Sequence, residues 1–378
     1  RGDVYKRQGI TLMHEHVFIS PRGAGIPPDR FVPATESALW YEKVTLENVH
    51  HHHKREGAIG DAGLLKDEKM ATAEITEFLN WGGSTVVEVT SIGCARDPRA
   101  LFRISTATSL NIVMGCSWYS VSSHPADMDE RTVEELTDEI VRDITVGVGD
   151  TGIKAGIIGE VGINGNPLKP NEIKVMKASA RASRATGAPI SLHWGGLGRE
   201  KLEIASVIGE EGGDLTRTIY GHSDLMAHNM PLMLEVLKTG AYIQFDLLGR
   251  PGVSLSWGPL CLDTENPFPY YKTDSGTALV AYAIVKLIKE GYGDKILISQ
   301  DICEKPQLKA YGGTGYSFIL ETFLPHLRTL GLSEEDINKI VVENPKRILT
   351  FVEPKSVSYT HLRAHETLRY LVCRLLLE

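Results

Sequence analysis

The sequence predicts a parallel (β/α)8 barrel, an α/β fold, and two observations carry that expectation. Eight short, β-branched or apolar runs punctuate the chain, and amphipathic helical stretches separate most of them. The length of 378 residues is compatible with one large barrel, because barrels well over 200 residues routinely form a single domain.

The candidate strands are GITLMHEHVF (9–18), STVVEVT (84–90), NIVMGCSW (111–118) and AGIIGEVG (155–162). They continue with PISLHWG (189–195), TIYGHSDL (218–225), AYIQFDLLG (241–249) and KILISQDIC (295–303). Each is bounded by Gly, Pro or polar residues, as strands usually are. RTVEELTDEIVRDI (131–144) places Val133, Leu136, Ile140 and Ile144 on one helical face, and Thr132 can cap its start. NEIKVMKASARASRATG (171–187) ends at Gly187, a natural helix stop. TALVAYAIVKLIKEGYG (277–293) behaves likewise. The stretch between the first two strands shows the weakest pattern.

The charge balance, 40 Lys+Arg against 48 Asp+Glu for a net −8, argues against a broad nucleic-acid surface. No apolar run reaches the length of a membrane span. Five scattered cysteines (94, 116, 261, 303, 373) form no CxxC pair and read as reduced thiols of a cytoplasmic protein. The ends look foreign: RGDVYKRQ and VSYTHLRAHETLRYLVCRLLLE resemble translated sequencing-adapter read-through. Setting aside 1–8 and 357–378 leaves one barrel domain over 9–356, with the genuine N-terminus expected to be missing. The alternative for the C-terminal end is an amphipathic helix over LRYLVCRLLLE.

His14 and His16 form an HxH pair, and residues two apart in a strand share a face. Alone, one such histidine reads as a hydrogen-bonded core residue. Glu160, His193, His222 and Asp301 change the reading, because each also lies late in its strand. In a parallel barrel those ends converge on the C-terminal mouth, where active sites form. All six are good metal-ligand types.

TLMHEH, RDPRALFRIS, GIIGEVG, GHSDL, ISQD and ENPKRIL stand in an order that resembles the phosphotriesterase family of the amidohydrolase superfamily, over residues 9–353. The resemblance implies two divalent metal ions, zinc first, with manganese, cobalt or iron as alternatives. It implies that His14, His16 and Asp301 hold one ion, that His193 and His222 hold the other, and that a strand-four carboxylate bridges them. Where many relatives bridge with a carboxylated lysine, GIIGEVG offers Glu160, as in the phosphotriesterase-related branch. Lys154 enters at the far end of that strand, and Glu160, Ile158 and Gly156 share a face at period two.

The chemistry expected is hydrolysis. Two ions sharing a water would supply hydroxide near neutrality, which attacks an ester, lactone or amide carbonyl, with phosphotriesters as a side activity. Asp301 is the expected general base. Efficient organophosphate hydrolases carry a relay histidine and a second acid where this chain has Leu247 and Leu225, which weakens a dedicated phosphotriesterase reading. Gln300 and Thr314 replace further expected histidines. Trp118, Tyr119 and Trp194 follow strands three and five and are pocket candidates, with ordinary rim packing as the alternative. The competing class is a barrel that binds metal or ligand without turnover. The expected partner is a small molecule, with no nucleic acid or membrane, and a homodimer by analogy.

Other features are discounted. GVGDTG (147–152) follows a helix and precedes a strand, the reverse of a dinucleotide site. YGGTGY (311–316) lacks a phosphate-loop lysine and reads as a flexible rim segment. His50–His53 read as a solvated loop. Glu88 either touches the site or makes an outward salt bridge. NPKRIL (344–349) starts the closing helix, with Pro345 in its first turn.

Overall fold

Parallel strands buried on both faces read as near-continuous apolar runs, and the sheet is built from such runs. The computed structural model describes residues 8–20, 34–54, 57–163, 167–193, 199–250 and 275–355. Eight parallel strands pair in sequence order: β1 (Ile10–Glu15), β2 (Gly83–Glu88), β3 (Asn111–Cys116), β4 (Ile157–Val161), β5 (Ile190–Leu192), β6 (Thr218–Tyr220), β7 (Tyr242–Phe245) and β8 (Ile296–Ile298). Hydrogen bonds just past the strands bring the last back to the first. Asp301 N donates to His14 O at 3.1 Å, and His16 N donates to Ile302 O at 3.1 Å. His14 N donates to Ser299 Oγ at 2.8 Å.

The outer layer comprises α1 (Val49–Lys54), α2 (Glu68–Asn80), α3 (Pro98–Thr108), α4 (Val133–Thr145), α5 (Pro170–Thr186), α6 (Glu200–Glu210), α7 (Met230–Lys238) and α8 (Ser275–Lys289). Thr132 starts α4 as expected and forms a full capping box with Glu135. Leu136, Ile140 and Ile144 are its buried stripe. Gly187 ends α5 at φ 75°, and a Cβ there would lie 1.9 Å from Val352 O. Only glycine satisfies both the left-handed backbone and that close approach.

Two expectations are corrected here. His50–His53 are not a solvated loop: they sit in α1, and buried His52 bonds Glu304 Oε2 at 2.9 Å. Pro345 does lie in the first turn of the helix Asn344–Leu349, but the helical path begins earlier, at Glu334–Asn338, and runs through a π-type turn at Lys339–Glu343. GVGDTG occupies the connection between α4 and β4, as expected. Cys94, Cys116 and Cys303 are free thiols, whereas Cys261 and Cys373 lie outside the described residues. Residues 1–7 and 357–378 of the two foreign-looking ends also lie outside them. Among the described residues no helix is long and apolar enough to cross a membrane.

Candidate metal centre

The strand ends deliver six side chains to one buried point. His14 lies in β1 and His16 just beyond it, Glu160 lies in β4, and His193, His222 and Asp301 follow β5, β6 and β8. Every one of these residues is buried. Glu160 is the hub. Its Oε2 lies 3.2 Å from His14 Nε2, 2.8 Å from His193 Nδ1 and 3.9 Å from His222 Nε2. Its Oε1 lies 3.3 Å from His16 Nε2. Asp301 Oδ1 completes one side, 3.2 Å from His16 Nε2 and 3.9 Å from His14 Nε2. His222 Nε2 and His193 Nδ1 are 3.0 Å apart on the other.

Backbone geometry aims these groups. His222 and Asp301 sit at φ 50° and φ 47°, a left-handed conformation uncommon for such residues and concentrated at functional sites. Glu160 arrives differently from the expectation. Ile157 joins the inner cluster with Met13 and Val87, while Ile158 joins the helix-facing core, so Glu160 and Ile158 do not share a face. The strand register shifts between Ile158 and Val161, the stretch that carries Glu160. Lys154 is exposed at the entry to the strand, as expected.

A ring of acceptors orients the imidazoles, and the sequence reading missed most of it. Asp246 Oδ1 lies 2.7 Å from His222 Nδ1, and Asp246 Oδ2 lies 3.3 Å from His14 Nδ1. Asp246 N in turn donates to Asp224 Oδ2 at 2.8 Å. Both acids are polar groups late in their strands, as the six ligand candidates are, and each adjoins one of the leucines, Leu247 or Leu225, that depart from the organophosphate hydrolases. Glu15, the central residue of HEH, straddles the Asp301 loop. Its Oε1 accepts from Gln300 N at 2.9 Å and its Oε2 from Ile302 N at 2.8 Å. Arg250, also missed, donates from Nη2 to Asp301 Oδ2 at 2.5 Å and to Asp301 O at 3.0 Å.

The electrostatics follow from this packing. Burial alone would lower the His14 pKa, but Asp246, Glu160 and Asp301 outweigh it and push it up to about 9. Burial would raise the Glu160 pKa, yet the facing His193 and His14 hold it well below the ordinary carboxylate range. Asp301 is likewise held low against burial, chiefly by Arg250. Asp224, buried beside Asp246, rises to about 8.

The pocket candidates separate. Tyr119 reaches the cluster, with its hydroxyl 3.2 Å from His193 Nε2. Trp118 is buried in the core, with the Arg131 guanidinium 5.1 Å from its ring centroid. Trp194 lies outside the described residues. The YGGTGY segment is tied down rather than free: Gln300 Nε2 donates to Gly315 O, Thr314 Oγ1 to Gly249 O at 2.9 Å, and Tyr316 Oη to His16 O at 3.0 Å. Gln300 and Thr314, standing where histidines were expected, thus brace the mouth.

The donor set fits divalent cations. Two groups that meet at Glu160, His14–His16–Glu160 and Glu160–His193–His222, each keep their ligand atoms within 4.8 Å of one another. His14 Nε2 is buried without a hydrogen bond, as a nitrogen reserved for a metal would be. Imidazole and carboxylate together suit zinc, and also manganese, cobalt or iron. Fold and site therefore define a (β/α)8 barrel with a His/carboxylate cluster at its mouth that is able to bind metal.

Comparison with known proteins supplies the family. The phosphotriesterase family model matches residues 2–349, and the chain belongs to that family. It is 37% identical to an N-acetyltaurine hydrolase of Dictyostelium discoideum, over 91% of this chain and 95% of the relative. It is 34% identical to a phosphotriesterase-related protein of Nematostella vectensis, over 92% and 95%. A resiniferatoxin-binding protein from Rhodobacter sphaeroides superposes with TM-score 0.81 at 30% identity, covering 91% of this chain and 92% of that one.

Proposed function

We propose that this protein is a binuclear, divalent-metal-dependent hydrolase that cleaves an acyl substrate at an amide, ester or lactone carbonyl. The carrying observation is that all four imidazoles place a ring nitrogen within 3.9 Å of the Glu160 carboxylate. His14, His16 and Asp301 would hold one ion, His193 and His222 the other, with Glu160 shared. When bound, the ions would supply Lewis acidity and a water of lowered pKa.

The chain's own residues do the rest. Arg250 anchors Asp301 Oδ2, which leaves Oδ1 facing the cluster and keeps the carboxylate ionised, the state a proton acceptor needs. Tyr119 Oη, beside His193, is placed to orient a substrate oxygen. Leu247 cannot relay a proton, which favours carbonyl substrates over phosphotriesters. The 37% identical N-acetyltaurine hydrolase supports an amide as first choice.

The test compares N-acyl amines including N-acetyltaurine, lactones and aryl phosphotriesters by kcat/KM, with and without chelator. We expect chelator-sensitive turnover of a carbonyl substrate, lost in Glu160→Ala together with bound metal. Glu160→Ala with two ions and a near-normal rate would overturn the bridging role. The likeness to a toxin-binding protein favours one second reading, a barrel that binds a ligand without turnover. A metal-loaded protein inert across the whole panel would select it.

A further inference from the structure

Each imidazole of the cluster has its own support. His222 leans on Asp246, His14 on Gln244 with Asp246 close by, and His193 on Tyr119. His16 is supported in another way. Its Nδ1 lies 2.8 Å from Thr90 Oγ1. That hydroxyl lies 2.5 Å from Glu88 Oε1 and 3.0 Å from Phe18 O. A hydroxyl has one proton, and both of those neighbours are acceptors. Thr90 therefore donates to one of them and offers only a lone pair to His16. It follows that His16 Nδ1 carries a hydrogen, which leaves Nε2, facing Glu160 and Asp301, as the nitrogen that would meet a cation.

Glu88 is unusual in this position. It closes β2, is 1% exposed, and takes one further hydrogen bond on Oε1, from Val17 N at 3.2 Å. Its Oε2 is buried without a hydrogen bond. It meets the cluster through Thr90, which touches His16, and no ion pair involves it among the described residues. A carboxylate buried with one oxygen unsatisfied is costly, and an apolar side chain would fill the space at less cost.

We propose that Glu88 and Thr90 are positioning residues. They form a carboxylate–hydroxyl–imidazole relay that fixes the tautomer and ring orientation of His16, and so serve one of the two cation positions and not the other. This rests on the metal-centre reading above. Outer groups of this kind commonly set ligand geometry and affinity at metal sites.

The experiment is a zinc titration of the full chain with Thr90→Val, Thr90→Ser and Glu88→Leu, with circular dichroism to confirm folding. Thr90→Val and Glu88→Leu should each weaken one zinc equivalent by roughly 10–100-fold and spare the other. Thr90→Ser, which keeps the hydroxyl, should restore it. A second readout needs no metal: the hydrogen-bonded ring proton on His16 Nδ1 should be visible by NMR in wild type and Thr90→Ser and lost in Thr90→Val. The relay is overturned if Thr90→Val keeps both zinc equivalents and the ring proton. It is also overturned if both equivalents weaken together without rescue by serine, the behaviour of a merely structural residue. A wild type that takes up no zinc sinks the metal-centre reading instead, and the ring proton then decides the relay alone.

Discussion

Glu160 gathers the four imidazoles, but Asp246 decides how two of them face it. Asp246 accepts from the outer nitrogen of His222 and lies beside that of His14, leaving the inner nitrogens for metal. Asp246→Asn should therefore weaken metal binding by roughly 10–100-fold while the fold persists, checked by metal titration. A second residue-scale prediction concerns Lys201, which is 1% exposed with its ammonium 5.5 Å from the Tyr220 ring centroid. Burial lowers its pKa from 10.5 to about 8. A lysine whose folded pKa lies below its unfolded value opposes folding at neutral pH, and the penalty fades as pH rises from about 8 toward 10.5. Lys201→Met should thus be more stable than wild type at pH 7, by at most about 3 kcal/mol. The gain should shrink steadily above pH 8 in denaturant melts. A constant difference across pH would show that the ammonium is not the source.

At the scale of elements, legibility tracks local physics. The start of α4 was readable because Thr132 and Glu135 carry the capping box within four residues of sequence. The end of α5 was readable because Gly187 takes a left-handed turn. The same two positions predict different costs. Thr132→Ala removes one cap and should cost about 1 kcal/mol. Gly187→Ala meets both a positive φ and the Val352 carbonyl, so it should cost clearly more in a thermal melt. What sequence periodicity could not show is the register shift in β4 between Ile158 and Val161, which breaks the period-two alternation around Glu160. Nor could it show that Arg250 folds back onto Asp301, 51 positions on, or that Glu15 holds the Asp301 loop from 285 positions away. The histidines of α1 were misread because His52 is buried by Glu304, some 250 residues away.

For the whole molecule, the alternation of strands and helices specified the barrel almost completely. Parallel strands must be buried on both faces, and that requirement writes apolar runs into the sequence. The six cluster residues were legible for a related reason, since late positions in parallel strands have one common destination. Their supporting acids were not, because a buried Asp or Glu looks the same in sequence whether it binds, orients or braces. The central claim is that these six side chains hold a pair of cations. The most direct measurement is crystallographic: anomalous scattering from crystals of the zinc-loaded protein. The account predicts two peaks flanking the Glu160 carboxylate, one toward His14, His16 and Asp301 and one toward His193 and His222. Peaks elsewhere, or none among these residues, would contradict it.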